Sequence, residues 1–161
     1  MDGLPPLTHA QVEHMRQLEP CIQQASERYR INTEIFRAVV LTEYTKPGQV
    51  VTNKNGSVDM SVAGINSIHL PELKKFNIDK DLLVNNTCVN LMVGAWILAQ
   101  RMAEVDINDP KQLWRAIGAY NSKTPKWNLI YQKLVWNNIQ RLRTYYPQLN
   151  YTFKEMKVAS N

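Results

Sequence analysis

Cysteine is scarce in this chain. Only Cys21 and Cys88 occur among its 161 residues, which excludes a disulfide-stapled scaffold and any thiolate-rich zinc module. The two have no C-x-x-C spacing, so two readings stay open: one long-range disulfide, or two buried free thiols. Histidine is as sparse. His9, His14 and His69 lie far apart and give no ligand spacing, so no metal or other cofactor is expected. Long apolar runs are missing too. The longest, residues 91–99, is interrupted by Gly94 and falls well short of the about 20 residues a span requires, so no membrane insertion is expected. No basic patch followed by an apolar stretch opens the chain, so it reads either as cytosolic or as the mature form of an exported protein. The exported form is the expectation.

Clustered charge is also lacking. The 19 Lys and Arg outnumber the 14 Asp and Glu for a net +5, yet Lys74-Lys75 is the only adjacent basic pair. A nucleic-acid binder more often shows a basic stripe, an arm or a recognition-helix motif. No nucleic-acid partner is expected, although the modest positive charge suits other polyanions.

What is present is helical patterning in a length that suits one domain. Thr8 followed by Gln11 reads as a capping box that opens a helix. Pro20 is expected to interrupt it, with a second helix running on to about Arg30. Asn32 is a good N-cap and Glu34 lies in the first turn of the next helix. That helix carries Ile35, Phe36, Val39 and Val40 at helical spacing and must end before Pro47-Gly48. Residues 48–70 differ in kind: two short β-prone stretches flank Asn53-Lys54-Asn55-Gly56-Ser57, and Asn-Gly is a strong hairpin signal. Short helical turns follow near 71–76 and 79–83, then a long helix over 87–104. Asp109-Pro110 and Thr124-Pro125 each open a further helix. Trp96, Trp114 and Trp136 read as core, and Trp127 as the ring to find exposed. Beyond Tyr146-Pro147 the chain reads as a flexible tail.

Glu43 is the residue with chemical promise. It follows Phe36 and Val40 on the apolar side of its helix and sits near the C-terminal end. Burial and the negative end of the helix dipole both disfavour ionisation. A carboxylic acid kept protonated near neutral pH is what glycosidic cleavage needs, as the lysozyme example of that chemistry illustrates. On position alone, a solvent-facing helix-end glutamate remains the other reading.

Four segments in order bear on that choice. Residues 55–67, reading NGSVDMSVAGINS, resemble the hairpin of lysozymes and lytic transglycosylases, roughly N-G-S-x-D-x-G-L-M-Q-I-N-S. The stretch from Cys21 to Glu43 resembles their opening helices. Residues 86–99, reading NTCVNLMVGAWILA, resemble their C-T-N-I-x-V-G-A-W-I-L-A helix, and Gly118 to Ser122 resembles the G-A-Y-N-A/S motif. The match covers residues 20–136. It is closest to the specialised lytic transglycosylases of type IV secretion, conjugation and pilus systems.

The resemblance implies a mainly α fold with a small β-hairpin: a single compact helical, lysozyme-like domain with a substrate groove. It would occupy residues 20–144, between a helical extension (1–19) and a C-terminal tail (145–161). It implies a periplasmic enzyme that cleaves peptidoglycan glycan strands to 1,6-anhydro products, without a cofactor, alongside components of a secretion or pilus apparatus. A catalytically weak glycan-binding scaffold and a lysozyme-type hydrolase are the alternatives. Carried over by position, Glu43 is the acid and later the base. Tyr120 would hydrogen-bond near it or the substrate, Asn121 would hold the adjacent turn, and Ile65 and Asn66 would line the sugar groove. Cys21 and Cys88 match the family's paired cysteines. Asp59 aligns with the second carboxylate of animal-type lysozymes and is either an electrostatic helper or a turn cap. Three departures are visible. Tyr44 replaces the usual serine after the acid and would stack on a sugar or block the cleft. Ser61 takes the place of a glycine and is expected to crowd the sugar. Gly64 takes the place of a glutamine and removes a polar contact.

Overall fold

A computed structural model describes residues 3–147. Helix α1 (His9–Tyr29) starts with the capping box: Thr8 Oγ1 accepts from the Gln11 amide, and the Thr8 amide donates to Gln11 Oε1. It does not break at Pro20, which lies inside the helix. An internal proline removes one helix bond and crowds the preceding turn, a penalty of about 3 kcal/mol. Here Met15 and Leu18 before it and Ile22 and Ala25 after it are all buried. Burial on both sides of the proline, against α5, holds the helix through the defect. The boundary expected between residues 19 and 20 therefore falls within one helix.

Helix α2 (Thr33–Glu43) is capped by Asn32, whose side chain accepts from the Ile35 amide. Its residues Phe36 to Leu41 are buried without interruption. One of them is Arg37, which meets the buried Glu19 of α1 in an ion pair whose nitrogens reach both carboxylate oxygens. Neither residue is exposed, so removing one partner would strand the other's charge.

Strands β1 (Val50–Thr52), β2 (Val58–Met60) and β3 (Ile65–Asn66) form an antiparallel sheet in the order β1-β2-β3. The hairpin around Asn55-Gly56 forms as expected. The third strand is an addition: after the 61–64 turn the chain pairs Met60 with Ile65 and Asp59 with Asn66, too short a pairing for alternation to reveal. Short helices α3 (Leu70–Leu73) and α4 (Lys80–Asn85) lead to α5 (Thr87–Ala103), then α6 (Pro110–Ala119) and α7 (Pro125–Tyr145). The whole is mainly α with a small sheet, as expected.

Buried Asn90 fastens the sheet to this frame. Its amide nitrogen donates to the carbonyls of Met60 and Leu83, and its oxygen accepts from the Ala63 amide. The Cys21–Cys88 disulfide forms and ties α1 to α5, which closes the free-thiol reading. Trp127 is 51% exposed as expected, but Trp136 is 41% exposed rather than core, its ring set edge-on to that of Trp114. The tail after Pro147 lies outside the described residues.

Candidate active site

Glu43 is the last residue of α2, and the chain leaves it through Tyr44 in the left-handed region at φ 42°. The left-handed step ends the helix, with the Tyr44 amide donating to the Val40 carbonyl. It also turns the Tyr44 ring away from the groove and edge-on to His14 of α1, with ring centroids 5.0 Å apart. Tyr44 is not among the residues that line the groove, so the expectation that it contacts or blocks substrate is corrected.

The Glu43 carboxyl lies against the 61–64 turn. Gly64 has φ +61°, and a Cβ there would come within 3.1 Å of Glu43 Cδ. The residue in the place of the family's glutamine is thus the one that leaves the carboxyl open to the groove. Ser61 also has positive φ, 56°, but it is fully buried, and its hydroxyl accepts from the Gly48 amide at 3.2 Å. It holds the turn and does not line the groove, so the expected crowding is absent.

The groove encloses about 540 Å³, and Glu43, Asp59, Gly64, Ile65, Asn66, Tyr120 and Asn121 all border it. Asp59 sits on the central strand. Its Oδ1 accepts from Asn66 Nδ2 at 2.9 Å and its Oδ2 from Asn53 Nδ2 at 3.1 Å. The Asn66 side chain is therefore spent on Asp59 and, through its oxygen, on the Ile68 amide. It braces the second carboxylate as well as bordering the groove. Asn121 is exposed at the rim, its amide donating to the Gly118 carbonyl.

Two tyrosines complete the site. Tyr120 donates to the Ala63 carbonyl at 2.6 Å, so it fixes the turn beside Glu43 and does not bond the glutamate. Gly94 of α5 permits this approach, since a Cβ there would lie 2.8 Å from Ala63 Cβ and 3.0 Å from Tyr120 Oη. The residue that reaches the acid is Tyr131 of α7, whose hydroxyl donates to Glu43 Oε1 at 3.4 Å. Sequence reasoning missed it. The only available signal was its place six residues into the helix opened by Thr124-Pro125, which says nothing about its partner.

The electrostatics favour a protonated acid. Burial raises the Glu43 carboxyl to about 8, the Asp59 charge pushes the same way, and the Tyr131 hydrogen bond opposes both. Burial, with the Glu43 charge behind it, lifts the phenols of Tyr120 and Tyr131 well above their usual range. Both therefore stay donors throughout the neutral range. No group of three or more metal-ligating side chains occurs among the described residues.

Comparison with known proteins bears on this arrangement. Residues 20–128 match the Transglycosylase SLT domain family. The chain is 35% identical over 128 residues to the invasion protein IagB of Salmonella typhi, covering 76% of this chain and 77% of that protein. It is 29% identical over 110 residues to a putative peptidoglycan-binding-like protein of Escherichia coli K12, covering 63% of this chain and 66% of that one. An Escherichia coli protein called X polypeptide is 26% identical over 112 residues, covering 67% and 63%.

Proposed function

The chain belongs to the Transglycosylase SLT domain family, and from that premise we propose that it is a peptidoglycan lytic transglycosylase with Glu43 as acid and base. The carrying observation is the Glu43 carboxyl, raised to about 8 and facing the groove across a position where Gly64 has no side chain.

The chemistry needs one proton carrier. Protonated Glu43 gives its proton to the β-1,4 glycosidic oxygen between MurNAc and GlcNAc. The bond from that oxygen to C1 breaks, and the GlcNAc-side chain leaves as an alcohol. The Glu43 carboxylate then takes the proton of the MurNAc 6-hydroxyl as that oxygen bonds to C1. The product is 1,6-anhydro-MurNAc, Glu43 is reprotonated, and no water is consumed. Asp59, held by two asparagine amides, contributes negative charge near the cationic sugar centre and has no bond-making role. Tyr120 and Asn90 hold the 61–64 turn in place.

Of the departures that would favour a non-catalytic scaffold, Gly64 borders the groove and leaves the Glu43 carboxyl open to it, and the other two lie away from it. Tyr44 packs on His14 and Ser61 is buried. The Cys21–Cys88 disulfide suits an oxidising compartment and supports a periplasmic site of action. Likeness to a protein named for invasion supports local wall opening for a secretion, conjugation or pilus apparatus.

Mass spectrometry of soluble products from purified peptidoglycan tests the reading. Anhydro-muropeptides are expected. Reducing-end products would replace the transglycosylase with a hydrolase in which water is the acceptor. Bound but uncleaved glycan would replace it with the scaffold.

A further inference from the structure

The groove does not end at the catalytic pair. It is also lined by Ile97 and, one turn on, Arg101 of α5, with His69 and Lys123. Arg101 lies seven residues beyond Gly94, the position that faces Tyr120 Oη, hence about 10 Å farther along the helix axis. That is roughly the length of a disaccharide.

Arg101 and Lys123 bring positive charge to a groove that Glu43 and Asp59 also border. Arg101 Nη1 reaches Glu104 Oε1 at 3.2 Å, and Lys123 Nζ lies 3.5 Å from Glu104 Oε2. Two cations thus share a single carboxylate that is itself 50% exposed. Burial, then the Arg101 charge, holds His69 below the usual imidazole range, so at neutral pH it brings a ring nitrogen and no charge. Arg101 Nε is enclosed and has no hydrogen-bond partner. A purely structural arginine would have its buried donors satisfied. A guanidinium that borders the groove, with one edge engaged by an exposed, exchangeable partner, is suited to receive a carboxylate.

Resting on the peptidoglycan reading above, we propose that Arg101, with Lys123, forms a subsite for a free carboxylate of the stem peptide carried by the glycan strand. The sugar backbone of an intact strand is neutral, and its lactyl group is tied up in an amide. Its negative charge therefore resides on the peptide carboxylates. A cation on the border of the same groove as Glu43 holds the strand in register and discriminates decorated strands from bare ones. Muramic acid stripped of its peptide exposes a lactyl carboxylate, the other source of the same chemistry.

The test is steady-state cleavage by the full chain and its Arg101→Gln and Arg101→Lys variants, each checked for parental Tm. Three substrates of matched length separate the sources: strands with stem peptides, the same strands with stem carboxylates amidated, and amidase-stripped strands. For the parent, amidation is expected to raise KM about ten- to a hundred-fold, the range for a charge-assisted bidentate contact. Arg101→Gln should raise KM on stem-bearing strands to the same level, leave kcat unchanged, and do nothing further on amidated strands. Arg101→Lys, which keeps the charge and loses the fork, should fall between. An Arg101 effect equal on all three substrates would reduce the residue to a structural role. An effect confined to stripped strands would reassign the subsite to the lactyl carboxylate. A parent that cleaves none of the three overturns the transglycosylase reading itself; a parent that cleaves all three with KM indifferent to Arg101 overturns only the subsite.

Discussion

The Tyr131 hydroxyl stands 3.4 Å from Glu43 Oε1 across 88 positions of sequence. The bond favours the ionised glutamate, against burial and the Asp59 charge, which favour the proton. Glu43 is thus held between the needs of an acid and of a base, which one residue must serve in turn. Tyr131→Phe removes the opposing contact and should raise the Glu43 value further. The alkaline limb of the kcat/KM profile is then expected to move to higher pH, with the fold retained. A limb that stays in place would mean the tyrosine does not influence the proton.

Stability should carry the same signature. A carboxyl whose folded value lies above its unfolded one holds its proton more tightly when folded, so ionisation opposes folding. For Glu43 the penalty is absent below about 4.5, grows through the interval to about 8, and is complete above it. At one pKa unit per 1.36 kcal/mol, its upper bound is about 5 kcal/mol. Thermal melts of Glu43→Gln and the parent should therefore coincide near pH 4 and diverge by pH 9, where the variant is the more stable. Equal Tm differences at both pH values would contradict the burial of the charge.

Gly64→Ala should damage the site more than its size suggests. It places a Cβ 3.1 Å from Glu43 Cδ at φ +61°, and an L residue in that conformation costs about 1–2 kcal/mol. A fall in kcat/KM accompanied by a modest drop in Tm is expected. Full activity would show that the turn and the carboxyl are not in contact.

Tyr44→Ser is expected to leave KM for glycan unchanged, because the ring packs on His14 rather than in the groove. Its effect should appear in Tm alone. A large change in KM would return Tyr44 to the binding surface.

Opening the Cys21–Cys88 link, by reduction or by a double Cys→Ala exchange, frees a loop with a sequence separation of 67. The chain-entropy argument gives a loss of about 4 kcal/mol, read as a lower denaturation midpoint. An unchanged midpoint would mean that packing of α1 on α5 suffices.

The parts of this molecule written in local sequence were legible before the structure. The Thr8–Gln11 box, the Asn32 and Asp109 caps, the hairpin at Asn55-Gly56 and the apolar stripe ending in Glu43 all depend on residues within a turn or two of each other. What was hidden depends on distance. Pro20 reads locally as a helix break, and only burial against α5 overrides it. The Glu19–Arg37 pair looks like two surface charges until α1 and α2 meet. Tyr120 and Tyr131 could not be told apart as partners of Glu43, because α7 packs across α2 in a way no periodicity records. Tyr44 illustrates the same limit from the other side: its neighbour in sequence is the acid, but its left-handed backbone sends the ring elsewhere. The site's identity came from motif order and its geometry from packing.

The central claim is that Glu43 moves the proton. The most direct test is the rate of glycan release from intact peptidoglycan by the parent and by Glu43→Gln at pH 6, with both proteins shown to be folded. A fall on the order of 10²–10⁴ is expected, the range for loss of a positioned general acid. A Glu43→Gln protein that cleaves as fast as the parent would contradict the account, and the proton would have to come from another group.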